Sequence, residues 1–105
     1  MKPLELEVKE IREDDGGRYV AAYPDEPESE LTYRLNGDRM VIERTYTPEE
    51  LRGQGIARRL VEQAVEDARE RGWKIIPVCS YAKIAIERSP DLRDVLDPEA
   101  ARRME

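Results

Sequence analysis

The stretch Arg52-Gly53-Gln54-Gly55-Ile56-Ala57-Arg58-Arg59 is built to hold an anion. Gly53 and Gly55 let the backbone bend where a Cβ would clash. A periodic apolar pattern starts at Ile56, so the turn opens directly into a helix. A helix start leaves its first amide N–H groups unpaired, and an anion can sit on them. Arg52, Arg58 and Arg59 add positive charge beside those amides. Type and spacing together predict a phosphate or pyrophosphate cradle.

A second group of reactive side chains follows the helix. Trp73 to Val78 is a short apolar run, and Cys79-Ser80-Tyr81 comes straight after it. Cys79 reads either as a small buried hydrophobe or pocket wall, or as a nucleophile. The second role needs a lowered thiol pKa, with Lys74, Lys83 or a helix N-terminus as the available help. Tyr81 reads either as an anchoring aromatic or as a proton donor. Ser80-Tyr81-Ala82-Lys83 matches Ser-x-x-Lys, but the companion motifs of the penicillin-recognising enzymes are absent.

Composition removes several chemistries. The 105 residues include no histidine and one cysteine. Ser-His-Asp and Cys-His catalysis are excluded, as are His-ligated metals and thiolate zinc clusters. A lone cysteine makes no internal disulfide, which predicts a reducing compartment, the cytoplasm. The formal charge of −6 argues against a nucleic-acid partner, which needs a basic face. No apolar run is long enough for a membrane span, and the N-terminus lacks the apolar centre of a signal peptide. The length predicts one domain over residues 1–105.

The elements that must position these residues follow from periodicity. Leu4, Leu6 and Val8 alternate with charges and predict a first strand. Asp14-Asp15-Gly16-Gly17 is a turn, and Arg18 to Tyr23 a second strand. Leu31, Tyr33 and Leu35 alternate in a third strand. Asn36-Gly37 predicts a tight hairpin, because both residues tolerate positive φ, and a fourth strand runs from about Arg39 to Tyr46. Thr47-Pro48-Glu49-Glu50 has the form of a capping box with Pro at the first helical position. The glycines at 53 and 55 then predict one turn, a break, and the main helix. Ile56, Leu60, Val61, Ala64, Val65 and Ala68 give that helix one apolar face, and Gly72 its C-terminal cap. Trp73 to Val78 is a buried fifth strand, parallel to the fourth because a right-handed strand–helix–strand crossover joins them. Ser80 to Arg88 is a second helix, Asp91 to Leu96 looks helical, and Asp97-Pro98 could cap a last short turn.

The order of residues from Thr45 to about Leu96 resembles a small branch of the GNAT superfamily of N-acetyltransferases. Its acyl-CoA motif, Gln/Arg-x-x-Gly-x-Gly/Ala, is matched by Arg52-Gly53-Gln54-Gly55-Ile56-Ala57. The resemblance implies an α/β fold: a mixed sheet of antiparallel strands leading into a β-α-β crossover and a second helix. It implies acetyl-CoA as cofactor and an amine acceptor. The turn from Arg52 to Ala57 would hold pyrophosphate, with Arg58 or Arg59 on another phosphate. Backbone amides of Thr45, Tyr46 and Thr47 would polarise the thioester carbonyl. The resemblance places Cys79 near the acyl end and makes Tyr81 a general acid for the departing thiolate.

Two departures from that pattern matter. The branch usually has His-Thr-Glu where this chain has Arg44-Thr45-Tyr46, so no general base carries over. Glu43 and Glu50 are the carboxylates left nearby, each most simply a surface charge. The two strands that end a standard member are also missing. The substrate side is then open or completed by another subunit, which predicts a homodimer. The expected function is acetyl-CoA-dependent N-acetyl transfer to a small amine by direct attack. The rivals are an acyl-CoA-binding module without catalysis and an interaction domain without ligand.

Overall fold

The computed structural model describes residues 5–103. Five strands form one sheet in the order β1-β2-β3-β4-β5. They are β1 (Glu7–Glu13), β2 (Gly16–Ala22), β3 (Ser29–Asn36), β4 (Arg39–Tyr46) and β5 (Lys74–Pro77). The first four pair antiparallel, each with its predecessor, and β5 lies parallel to β4. Three helices accompany them: α1 (Ile56–Arg71), α2 (Ser80–Glu87) and α3 (Pro98–Arg103). Two 3-10 segments, Glu49–Leu51 and Pro90–Val95, link them. No described helix is long and apolar enough to cross a membrane.

The meander and the crossover form as the periodicity predicts, with local differences. The first strand begins at Glu7, later than the alternation suggests; Leu6 and Val8 are half-buried, and Leu4 lies outside the described residues. The β3–β4 turn sits one residue further on than expected. Asn36 pairs with Arg39, so Gly37 and Asp38 are the turn residues. Only Gly37 has positive φ, at 64°, which suits a hairpin with glycine at its first central position. The capping box does not form. Pro48 takes the N-cap position of a 3-10 turn, and no side chain caps it. The following glycines stop that turn before it can extend into α1.

Helix α1 buries the six residues of its apolar face, Ile56, Leu60, Val61, Ala64, Val65 and Ala68. Burial of a Leu or Val of this kind contributes about 1.5–3 kcal/mol relative to exposure. They meet Tyr19, Leu31, Tyr33, Met40, Ile42 and Ile75 from the sheet, with Ala82 and Ile86 of α2 in the same core. Gly72 ends α1 in the left-handed conformation at φ 75°. Leu96 forms a parallel bridge to Ile75, and the Asp97 amide donates to the Ile75 carbonyl at 2.9 Å. The open edge of β5 is therefore partly covered by the chain itself. Val78 and Ile84 stay exposed near the same edge, at 64% and 48%.

A polar network fixes the C-terminal end of α1 to the first three strands. Arg71 donates twice to the Glu10 carboxylate, each bond 2.8 Å long. Tyr33 donates to the same carboxylate at 2.6 Å, and Tyr19 donates to Asp67 at 2.8 Å. Arg12 and Arg71 both lie against the Trp73 ring, 5.4 and 5.2 Å from its centroid. The bond from Arg71 pulls the Glu10 carboxyl down to about 2; burial opposes it, and the Tyr33 bond adds to it. A carboxyl lowered on folding stabilises the fold above its unfolded value of 4.5, and that contribution is lost as pH falls toward 2. Arg71→Gln is therefore expected to be less stable at pH 7 and to lose less between pH 4.5 and 2. Urea midpoints at neutral and acid pH check this; parallel losses in the two proteins would remove the network from the acid response.

Candidate functional site

The cleft lies where β4 and β5 part. Their pairing ends at Ile42 opposite Pro77, although β4 runs on to Tyr46. A bulge at Glu43 helps: Tyr33 pairs with Ile42 and Thr32 with Arg44, so Glu43 has no partner across the ladder. The amides of Val78 and Cys79 both turn back to the Ile42 carbonyl, at 3.0 Å each. Beyond that point the β5 side of β4 has no strand beside it. The resulting cleft is about 530 Å³, within the range of small-molecule sites.

Thr45, Tyr46 and Thr47 form one wall of the cleft, and Arg52, Gly53, Gly55, Ile56 and Ala57 another. Tyr81 closes the α2 side, and Leu51 contributes apolar surface that sequence reasoning missed. A buried leucine in a one-turn 3-10 segment gives no periodic signal, which is why it escaped notice. Gln54 and Arg58 are not among the lining residues. Arg58 instead pairs with Glu62 one turn along α1, at 3.1 Å. Arg52 donates to the Thr47 carbonyl at 3.0 Å and so ties the turn to the end of β4. Glu43 pairs with Arg34 at 3.2 Å, and Glu50 is exposed on the 3-10 turn; neither carboxylate lines the cleft.

The N-terminus of α1 is electrically open. Gly55 is its N-cap at φ 81°, with no side-chain cap and no acidic residue in the first turn. The first helical bond is donated by Arg59 to the Gly55 carbonyl, so the amides of Ile56, Ala57 and Arg58 lack an intrahelical acceptor. A Cβ added at Gly53 or Gly55 would meet no atom within 4 Å. The space beside both glycines is thus open, and the backbone there is left-handed, φ 85° and 81°. Thr47 Oγ1 is a further unpaired group: it is buried and has no hydrogen-bond partner. An uncapped helix start beside open space at Gly53 and Gly55 fits a large polar anion.

Cys79 is the N-cap of α2 and, like Gln54 and Arg58, does not line the cleft. Its Sγ lies 3.5 Å from Thr45 Oγ1. Burial pushes the Cys79 thiol up, but the Thr45 hydroxyl and the amides of Ala82, Tyr81 and Thr45 outweigh it, so the thiol lies below its usual range. The expectation that help would come from Lys74, Lys83 or the helix start is met only by the helix start; the hydroxyl was legible only once β4 and β5 were side by side. Burial raises the Tyr81 phenol, with Arg58 opposing and Glu62 and Cys79 adding to it. Tyr81 therefore keeps its proton at neutral pH and can donate it.

Residues 18–95 match the family described as GCN5-related N-acetyl-transferase. The chain belongs to that family. The solution structure of a GCN5-like protein from Staphylococcus aureus, provisionally assigned as an N-acetyltransferase, is 30% identical with a TM-score of 0.66. That match covers 85% of this chain and 87% of the other. The crystal structure of nourseothricin acetyltransferase is 26% identical with a TM-score of 0.53, over 86% of this chain. It spans 49% of that enzyme, so the GCN5-related chain described here corresponds to about half of it. No curated protein matches the chain. The α/β fold, with its antiparallel meander, crossover and second helix, is that of a small GCN5-related domain.

Proposed function

We propose that this chain, as one domain over residues 1–105, transfers an acetyl group from acetyl-CoA to a small amine. The observation that carries the reading is the cleft itself, lined by a bare helix N-terminus and by Thr45 and Tyr81. Acetyl-CoA, when bound, supplies an acetyl group already activated as a thioester. Arg52, Gly53, Gln54, Gly55, Ile56 and Ala57 hold its pyrophosphate through backbone amides. Arg58 must leave Glu62 to reach another phosphate. Those amides of Thr45, Tyr46 and Thr47 that point away from β3 would polarise the carbonyl where charge develops. Tyr81 donates its phenolic proton to the leaving sulfur, and the amine attacks directly. With no carboxylate in the cleft wall, the amine loses its proton to water.

A second route is favoured by one observation, the 3.5 Å contact between Cys79 Sγ and Thr45 Oγ1. In that route Cys79 Sγ would take the acetyl group as CoA leaves as its thiol, and attack by the amine would then form the amide and return the Cys79 thiol. The exposed Val78 and Ile84 beside β5 are the surface on which we place a homodimer. Light scattering that returns a monomer at high micromolar concentration would exclude it. We place the protein's work in the cytoplasm, where its one thiol stays reduced.

Calorimetric titration with acetyl-CoA tests the binding half of the proposal, and CoA release with a panel of amines tests the transfer half. Binding with amine-dependent release is expected. Binding without release in any amine would leave a non-catalytic acyl-CoA module, and no binding would remove the ligand altogether.

A further inference from the structure

We infer that Arg44 sets the class of acceptor: it receives the anionic group of an amine that also carries a carboxylate. The reaction itself rests on the acetyl-transfer reading above; the place rests on the sheet. Residues directly opposite one another in a sheet share a face. Arg18 lies opposite Thr32, Thr32 opposite Arg44, and Glu30 opposite Tyr46. Leu31 and Tyr33 alternate with Glu30 and Thr32 and are buried in the core with α1. Arg44 and Tyr46 therefore stand on the face turned away from α1. Thr45, opposite Leu31, stands on the α1 face. Both Thr45 and Tyr46 line the cleft, so it runs through the gap from one face to the other. An anion seated on the α1 N-terminus occupies one side, and Arg44 stands at the other.

Arg44 is exposed, and its guanidinium lies 6.0 Å from the centre of the Tyr46 ring. Tyr46 is 44% exposed in the cleft wall. The carboxylates beside Arg44 on the sheet are already engaged. Glu43, its neighbour in sequence, pairs with Arg34 at 3.2 Å, and Glu30, diagonally across the sheet, pairs with Arg18 at 3.4 Å. Arg39, on the same face of β4, pairs with Asp38 and Asp97. Among the described residues, Arg44 is the one of these four arginines with no carboxylate partner. Its place beside Tyr46 turns that unused charge toward whatever enters the cleft from this face.

The acceptor's chemistry follows from the wall. No carboxylate of the described residues lines the cleft, and Arg52 is the one charged side chain that does. The wall thus offers an ammonium group nothing to pair with. Arg44 offers an acidic group a planar fork of donors, which matches a carboxylate bidentately. An amino acid with its amine at the far end of the chain has that form. Arg44 takes no part in the bond changes; it fixes the end of the acceptor that does not react.

γ-Aminobutyrate and ε-aminocaproate are each matched by their primary amides in length and amine, and differ in charge at the far end. The wild type, saturated with acetyl-CoA, is expected to release CoA with a kcat/KM about tenfold higher for an acid than for its amide, the scale of one bond to a charged group. Added salt should shrink the advantage. Arg44→Gln is expected to bring acid and amide level, and Arg44→Lys to restore part of the difference. Equal kcat/KM within both pairs in the wild type would overturn the inference while leaving acetyl transfer in place. So would an acid preference that survives in Arg44→Gln. A fall in calorimetric affinity for acetyl-CoA in Arg44→Gln would assign the guanidinium to a CoA phosphate and overturn it as well. If no amine gives release, the proposed function fails. Amide NMR shifts on adding the two acids to the CoA-loaded protein then decide the site alone. Shifts at Arg44, Thr45 and Tyr46 that vanish in Arg44→Gln would keep it, and their absence in the wild type would remove it.

Discussion

Tyr81→Phe is expected to lower amine-dependent CoA release by about 10²-fold, the usual scale for a positioned proton donor. The phenol lines the cleft and is 39% exposed, so it is reachable without unfolding α2. Burial raises it, and the nearby Arg58 does not overcome that effect. The group stays protonated through neutral pH, as a donor to a leaving sulfur must. The variant loses only an oxygen, so acetyl-CoA affinity should hold while turnover falls. Cys79→Ala is expected to keep most activity if transfer is direct. Saturating acetyl-CoA and intact-mass spectrometry of the wild type settle the route. An acetyl adduct on Cys79 that amine discharges would replace direct attack by the two-step path. Full activity in Tyr81→Phe would return that side chain to packing.

The second large effect is expected at Gly55. Gly55→Val should weaken acetyl-CoA binding by more than tenfold, because amides that bond a phosphate are each worth about 1.5–3 kcal/mol. Two causes act together. The residue sits at φ 81°, which a β-branched side chain resists, and its side chain would occupy open space beside the start of α1. Gly72→Val separates them. Gly72 has φ 75°, also with nothing within 4 Å, but it caps the far end of the same helix. Similar backbone strain should appear there as lost stability, with acetyl-CoA affinity unchanged. Equal calorimetric affinity in folded Gly55→Val would move the anion away from this turn.

Much of this was legible from local pattern. Period-two alternation gives the meander, and Arg39 to Tyr46 is β4 to the residue. The six apolar positions of α1 are the six that are buried, because helical spacing alone decides which side chains share a face. Gly72 declared the end of the helix, and the two glycines declared the break before it. These are properties of short stretches, where backbone freedom and side-chain period act on neighbours.

What sequence could not supply is what arises between strands. The bulge at Glu43 depends on how β3 pairs with β4, and it breaks the alternation along β4. The part-cover over β5 depends on Leu96, 21 residues away from its bridge partner Ile75. Thr47 resembled a helix cap in the linear chain. In the fold the helix it would cap is a 3-10 turn begun by Pro48, and the hydroxyl is left unpaired. In sequence, Cys79 had only Lys74, Lys83 or a helix start to help it. Its aid is Thr45, 34 positions earlier, delivered by a parallel crossover. Spacing fixes what a stretch can form, but a hydrogen bond needs two groups at one point in space, and only the packed sheet brings these together.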